Sequence, residues 1–190
     1  MEQWYTITGG IDANTAHQLI TYVNAQIYQT NIKKLKILLS SGGGDLDSAL
    51  RIYSYLKALS IEVETIAFSQ IDSAANIIYL AGSNRVAIKG CRFLFHEGTF
   101  TTGAQTTTLH NHEEALLIFR ELLKKHISVL SKETGKTEKE IIGRELYFNG
   151  RKSKRIWFCS RNLRETSTFT TSWSSSIFVI LPRKYIREEI

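Results

Sequence analysis

The sequence predicts an α/β fold, a single domain built from repeated strand–helix–strand units. Three observations predict it. Short apolar runs at Leu35–Leu39 and Ile61–Phe68 read as buried strands. Longer stretches between and after them, Thr15–Thr30 and Leu46–Leu59, carry their apolar residues on one helical face. Connections of that length join parallel strands by crossovers, the mark of the α/β class.

Taken in order, Trp4–Thr8 alternates as a strand does, and Gly9-Gly10 ends it. The helix at Thr15–Thr30 aligns Ala16, Leu19, Ile20, Val23 and Ile27, with Asp12 or Asn14 able to cap it. Leu35–Leu39 is the second strand, and Ser40-Ser41-Gly42-Gly43-Gly44 a glycine loop. In Leu46–Leu59, Leu46, Ala49, Leu50, Tyr53 and Leu56 form one face. After the third strand, Ser73–Ala81 reads as a short buried helix stopped by Gly82. Arg85–Ile88 and Arg92–Phe95 are two short strands around Lys89-Gly90, the second ending at His96. Gly98–Thr108 reads as a polar loop or edge ribbon. Glu113–Ser131 is a long amphipathic helix with Leu116, Phe119, Leu122, Leu123, Ile127 and Leu130 in its stripe. Thr137 and Glu140 have the spacing of a capping box.

Composition narrows the function classes. The 190 residues are 43% hydrophobic and 22% charged, ordinary for a globular protein with a real core. Two cysteines, Cys91 and Cys159, imply no disulfide framework and fit a reducing compartment. No apolar run approaches the ~18 residues of a membrane span, and Met1-Glu2-Gln3-Trp4 has no signal pattern, so the expected location is cytoplasmic. The net charge of +6 comes wholly from the tail: residues 1–150 carry 15 basic and 15 acidic side chains, residues 151–190 carry 9 and 3. The body is neutral, and no nucleic-acid partner is expected for it.

Three features converge at strand ends, where open α/β sheets gather function. Ser73 stands where a strand turns into a helix. A serine there is either a helix cap, its oxygen on a backbone N–H, or a nucleophile beside free N–H groups that can hold an oxyanion. Gly42–Gly44 is either a turn or a loop whose N–H groups approach a substrate closely. No Lys-Ser or Lys-Thr pair follows it, which argues against a phosphate-binding loop, and the spacing is not that of a dinucleotide site. His96 is either an ordinary strand-end histidine or a base. Nucleophile, base and oxyanion donors are the parts of acyl transfer. His110 and His112, read as lying on a solvated loop beside Glu113 and Glu114, have no convincing metal-ligand spacing. No metal and no cofactor are expected.

As an ordered set these motifs resemble the Clp protease proteolytic-subunit family of serine peptidases over about residues 3–149. The family's Ser-Pro-Gly-Gly is similar to Ser41-Gly42-Gly43-Gly44, followed by Ile52-Tyr53. Its Gln-x-x-Ser motif is similar to Gln70-Ile71-Asp72-Ser73, followed by Leu80-Ala81-Gly82. Its histidine strand resembles Arg92–His96, its handle helix resembles 113–131, and Glu145 before Leu146-Tyr147-Phe148-Asn149 stands at the family's acidic position. The resemblance implies a crotonase/ClpP-like core of βαβ units with a protruding handle helix. It implies a serine endopeptidase with Ser73, His96 and Glu145 catalytic, Gly43 and Ala74 as oxyanion donors, and Gly44 and Gly98 binding substrate. It also implies stacked rings of this chain acting on peptide or unfolded protein, and leaves coupling to an ATPase open, because the first strand starts at Trp4 without the family's N-terminal loops. Two departures stand out: Gly42 replaces proline, and Glu145 replaces aspartate. Two rival readings are an acyl-CoA-type hydratase or isomerase of the same fold, which has no need of Ser73 and His96, and a non-catalytic ring subunit.

The resemblance stops at about residue 150. Residues 151–190 form an aberrant basic tail with a Ser/Thr run at 166–176. The family expects Ala-x-x-Ala-x-x-Tyr-Gly and then an apolar strand. Residues 150–162, back-translated with suitable codons and shifted by one nucleotide, read Ala-Glu-Lys-Ala-Lys-Glu-Tyr-Gly-Phe-Val-Val-Glu. The tail is therefore read as the product of a frame change near Gly150, and poor packing is expected from about residue 151.

Overall fold

The computed structural model describes residues 1–96 and 109–141, and beyond them the backbone of four short strands. The order begins β1 (Glu2–Thr8), α1 (Ala13–Thr30), β2 (Lys34–Ser41), α2 (Leu46–Ala58) and β3 (Glu62–Asp72). It continues through α3 (Ala75–Leu80), β4 (Asn84–Ala87), β5 (Arg92–Phe95), α4 (Leu109–Thr134) and α5 (Glu138–Ile141). The four outlying strands are β6 (Leu146–Asn149), β7 (Arg161–Asn162), β8 (Phe169–Ser172) and β9 (Val179–Pro182).

The main sheet runs β1-β2-β3-β4-β7, with all of these pairs parallel. Its third strand has two partners in succession on one side. The first half of β3 pairs with β4, from Glu64 opposite Asn84 to Ala67 opposite Ala87. The second half pairs with β5, from Gln70 opposite Arg92 to Asp72 opposite Leu94. β5 then takes β6 as an antiparallel neighbour. The sequence reading ended β3 at Phe68. It runs to Asp72, because the second partner supplies acceptors and donors for a segment whose Ser69 and Gln70 look like loop residues.

Local chemistry fixes the helix ends. Asp12, rather than Asn14, caps α1, its carboxylate accepting the Thr15 N–H at 2.7 Å. Asp45 caps α2 through the Ser48 N–H at 2.8 Å. The Glu140 carboxylate accepts the Thr137 N–H at 2.8 Å, the glutamate half of the capping box, while the Thr137 hydroxyl donates to the same carboxylate at 2.9 Å. His110 and His112 lie in the first turn of α4 and not on a loop, with His110 exposed. The helix begins four residues before the predicted Glu113, since Leu109–His112 contains neither glycine nor proline to prevent it.

The core lies between the sheet and its helices. Leu35, Ile37 and Leu39 of β2 and Ile71 of β3 are wholly buried, as are Leu19, Ile52, Ile77 and Ile78 from the helices. Each such side chain contributes about 1.5–3 kcal/mol on leaving water. Gly82, just after α3, fits against Thr65, whose hydroxyl donates to the Tyr79 carbonyl at 2.7 Å. A Cβ at Gly82 would also stand 2.9 Å from the Asn84 carbonyl oxygen, so the helix turns into β4 only with glycine there. No described helix is long and apolar enough to cross a membrane.

Candidate active site

Ser73 stands between the end of β3 and the start of α3 with φ of +54°, in the left-handed region. Three contacts hold it there. Its N–H donates to the Leu94 carbonyl at 2.9 Å. Its own carbonyl accepts the Asn76 N–H at 3.1 Å and the Asn76 side-chain amide at 2.9 Å. The same amide donates to the Leu94 carbonyl at 2.9 Å, so Asn76 clamps the serine turn to β5. The cap reading of Ser73 does not apply: the N-cap position of α3 is Ala74, and no side chain caps the helix.

The glycine loop lies against this turn. A Cβ on Gly43 (φ +94°) would sit 2.6 Å from the Ser73 Cβ, 2.8 Å from the Asp72 carbonyl oxygen and 3.2 Å from the Ala74 nitrogen. Only glycine permits that approach. Gly44 is equally constrained from the other side, its missing Cβ replaced by the backbone of Ile11. Ile11 is stitched on by its N–H to the Gly43 carbonyl at 3.0 Å and by the Asp45 N–H to its own carbonyl at 2.7 Å. Thus the loops after β1, β2 and β3 meet at one point. Ser41 secures the join: its hydroxyl donates to the Gly9 carbonyl at 2.6 Å and accepts the Gly43 N–H at 3.0 Å. The Gly43 N–H is therefore engaged within the loop.

His96 follows β5, two residues beyond the Leu94 carbonyl that accepts the Ser73 N–H. It is half-buried. Beside it lies a cavity of about 20 Å³, walled by His96, Phe95, Ile141 and the α4 residues Leu123, His126, Ile127 and Leu130. His126 is 5% exposed. Burial, with the nearby His96 as a second cause, pulls its pKa down to about 4.

The structure brings together Ser73, Ala74, Gly43 and Gly44, with His96 just past the end of the adjoining strand β5. Glu145 and Gly98 lie outside the described residues. Asn76 and His126 were given no role from the sequence, and Ser41 was named only as the first residue of the glycine motif. Each had a signal: a lone amide inside the apolar run Ala74–Leu80, a serine before three glycines, and a histidine interrupting the apolar stripe of α4. Among the described residues, no three His, Cys, Asp or Glu side chains gather as a metal would require.

Comparison with known proteins adds the following. The family model of the Clp protease matches residues 2–157. The ATP-dependent Clp protease proteolytic subunit of Streptococcus uberis is 28% identical over 139 residues, 71% of this chain and 69% of that protein. The ATP-dependent Clp protease proteolytic subunit 2 of Treponema denticola is 24% identical over 152 residues, 77% of this chain and 74% of that protein. Among solved structures, a ClpP1 mutant from Listeria monocytogenes superposes with a TM-score of 0.74 at 17% identity, covering 86% of this chain and 92% of that one. The fold of β1 to α5 is thus the ClpP/crotonase-like one.

Proposed function

The chain belongs to the Clp protease family, and from that premise we propose that it is a serine endopeptidase acting on peptides and unfolded protein segments. Ser73 Oγ attacks the scissile carbonyl carbon, and His96 takes its proton and passes it to the leaving amine. Water then hydrolyses the acyl-enzyme by the same path in reverse. Glu145 is assigned the orientation of His96 and the stabilisation of its imidazolium.

The observation that supports this reading best is the turn at Ser73. A serine in the left-handed region, pinned through its backbone and touching a glycine that tolerates no side chain, is a strained geometry of the kind that presents a nucleophile. The N–H groups of Gly43 and Ala74 are assigned to the oxyanion, each such donor being worth ~3 kcal/mol in kcat. The Gly43 N–H meets Ser41 Oγ in the free protein, so it serves only after exchanging that hydroxyl for the substrate oxygen. Gly42, in place of a proline, gives the loop the backbone freedom for this exchange. Gly44 and Gly98 are assigned to binding the substrate backbone. The relatives' names carry ATP dependence, and an ATPase partner is the corresponding proposal here. Exposed Leu117 and Ile118 on α4 support pairing of rings of this chain through that helix.

A fluorophosphonate probe tests the assignment. The protein is expected to be labelled at Ser73 and to cleave a small fluorogenic peptide. Ser73→Ala is expected to lose both with no loss of stability, since the serine side chain caps nothing. An unlabelled native protein, or a Ser73→Ala variant that still cleaves, would remove the assignment. Acyl-CoA binding without labelling would favour the hydratase or isomerase reading.

A further inference from the structure

Asn76 is wholly buried in the first turn of α3, where every other residue from Ala75 to Leu80 is apolar or aromatic and buried. Its side-chain nitrogen donates to two carbonyls, those of Ser73 and Leu94, each at 2.9 Å. Both neighbours are acceptors, so only the nitrogen end of the amide can face them. Neither carbonyl needs it. That of Ser73 already accepts the Asn76 N–H at 3.1 Å, and that of Leu94 the Ser73 N–H at 2.9 Å. The amide's own oxygen is buried with no hydrogen-bond partner among the described residues. An apolar side chain at 76 would leave both carbonyls paired and strand no oxygen, so on this count the amide works against stability. What it adds is geometry. The ladder between β3 and β5 ends with Asp72 opposite Leu94. Past that pair, one chain enters the serine turn and the other runs through Phe95 to His96. The bond from the Ser73 N–H to the Leu94 carbonyl is the last backbone rung described between them. A single rung is a pivot. The Asn76 amide gives the same carbonyl a second attachment, from a helix whose Ala75, Ile77 and Ile78 are packed in the core.

We propose that Asn76 is a positioning residue that fixes the separation of Ser73 from His96, by bridging the carbonyl of the first to the carbonyl two residues before the second. The inference rests on the reading of those two residues as nucleophile and base. Proton transfer between them requires the serine hydroxyl within hydrogen-bond reach of the ring, and a misplacement of about 1 Å is enough to cost about 100-fold in rate. The bridge touches no reacting atom and no group assigned to the substrate backbone. Its loss therefore falls on kcat and leaves KM alone.

Two variants of the full chain test it. Asn76→Leu keeps the branching of asparagine without its donors. Asn76→Ser keeps one hydroxyl donor, which in a helix reaches the carbonyl three residues back, here that of Ser73, and cannot serve Leu94 as well. Both are expected to lower kcat on the fluorogenic peptide, and the rate of fluorophosphonate labelling, about tenfold per folded subunit with KM unchanged. Amide hydrogen exchange should show the Ser73 N–H exchanging about tenfold faster in both, with the amides between β2 and β3 unmoved. Native kcat in Asn76→Leu would overturn the proposal. So would native kcat in Asn76→Ser, since the bond inside the serine turn would then suffice. Faster exchange across β2 and β3 as well is the pattern of a packing role and overturns it too. Where Asn76→Leu does not fold, Asn76→Ser decides by the same measurements. If the native protein is neither labelled nor active, the peptidase reading falls. The exchange of the Ser73 amide then decides alone: an unmoved rate overturns this inference, and a faster one confined to the serine turn upholds the bridge.

Discussion

At Ser73 the backbone adopts a conformation that costs a non-glycine residue of order 1–3 kcal/mol, and the Leu94 carbonyl and Asn76 amide hold it there. Asn76 is itself wholly buried, so the price of the strained turn is met by a clamp that solvent does not reach. His126 is a second residue whose environment opposes its chemistry. Its pKa of about 4 in the folded chain, set by burial and then by His96, compares with about 6.5 for an unhindered histidine. Between those values the unfolded chain binds a proton that the folded chain does not. Stability is therefore expected to be full above about pH 6.5, to fall as pH drops towards 4, and to lose no more through this group below that. The loss approaches roughly 3 kcal/mol. Urea unfolding at pH 7 and pH 4.5 checks it: His126→Leu should remove most of the difference, and an unchanged difference would place the titration elsewhere. The sequence displayed Ser73 as a residue between a strand and a helix but not its φ, which arises from the β3–β5 register. It displayed His126 only as a break in a stripe, because nothing in the spacing says that β5 brings a second histidine to the same cavity.

Among the elements, α4 is tied to two others through one side chain. Glu133, near its end, accepts the Tyr53 hydroxyl at 2.7 Å and pairs with Lys57 of α2 at 2.8 Å and Arg85 of β4 at 3.1 Å. Burial pushes the Glu133 carboxyl up, but Lys57, Tyr53 and Arg85 outweigh it and hold it below the usual carboxylate range. Burial and then the Glu133 carboxylate push the Tyr53 hydroxyl well up. Glu133→Ala would take a partner from three polar groups at once. It is expected to cost about 2–3 kcal/mol, with Glu133→Gln falling between it and the native chain, since the amide can still accept from Tyr53. Denaturant melts of the three proteins measure this, and a loss under about 0.5 kcal/mol in the alanine variant would mean that apolar packing alone docks the helix. Strand and helix order from β1 to β5 was legible because each element has its own period and its own punctuation, from Gly9-Gly10 to Gly82. The extension of β3 to Asp72 was not legible, since it depends on partners 22 residues away, from Gln70 opposite Arg92 to Asp72 opposite Leu94, and not on its own side chains. The Glu133 hub was hidden for the same reason: its partners come from α2 and β4.

For the whole molecule, the sequence break at residue 151 stands close to where the family match ends, at 157. The expectation of poor packing beyond 151 falls almost entirely outside the described residues. What is described there includes β7, two residues placed on the free edge of β4, Arg161 opposite Val86 and Asn162 opposite Ala87. In the shifted frame the run Phe-Val-Val-Glu occupies 158–161, an apolar segment that reaches this edge only at 161. We propose that a one-nucleotide change near Gly150 replaced that segment and the helix before it. Sequencing of the gene is expected to show codons at 150–162 that read as the family's segment one nucleotide out of step, and codons that yield no such peptide would end the idea. Restoring the frame should raise the melting temperature and the fraction of chains found in large assemblies. The distribution of the core gives this a consequence in time. Among the described residues its buried cluster is drawn from Ile7 to Phe95, with Leu130 last. Synthesis proceeds from the N-terminus, and chains begin folding as they emerge. Every side chain of that described cluster is thus incorporated before a ribosome reaches the codons we propose to be altered, so such a change would arrive late, in a nascent chain whose described core is already specified.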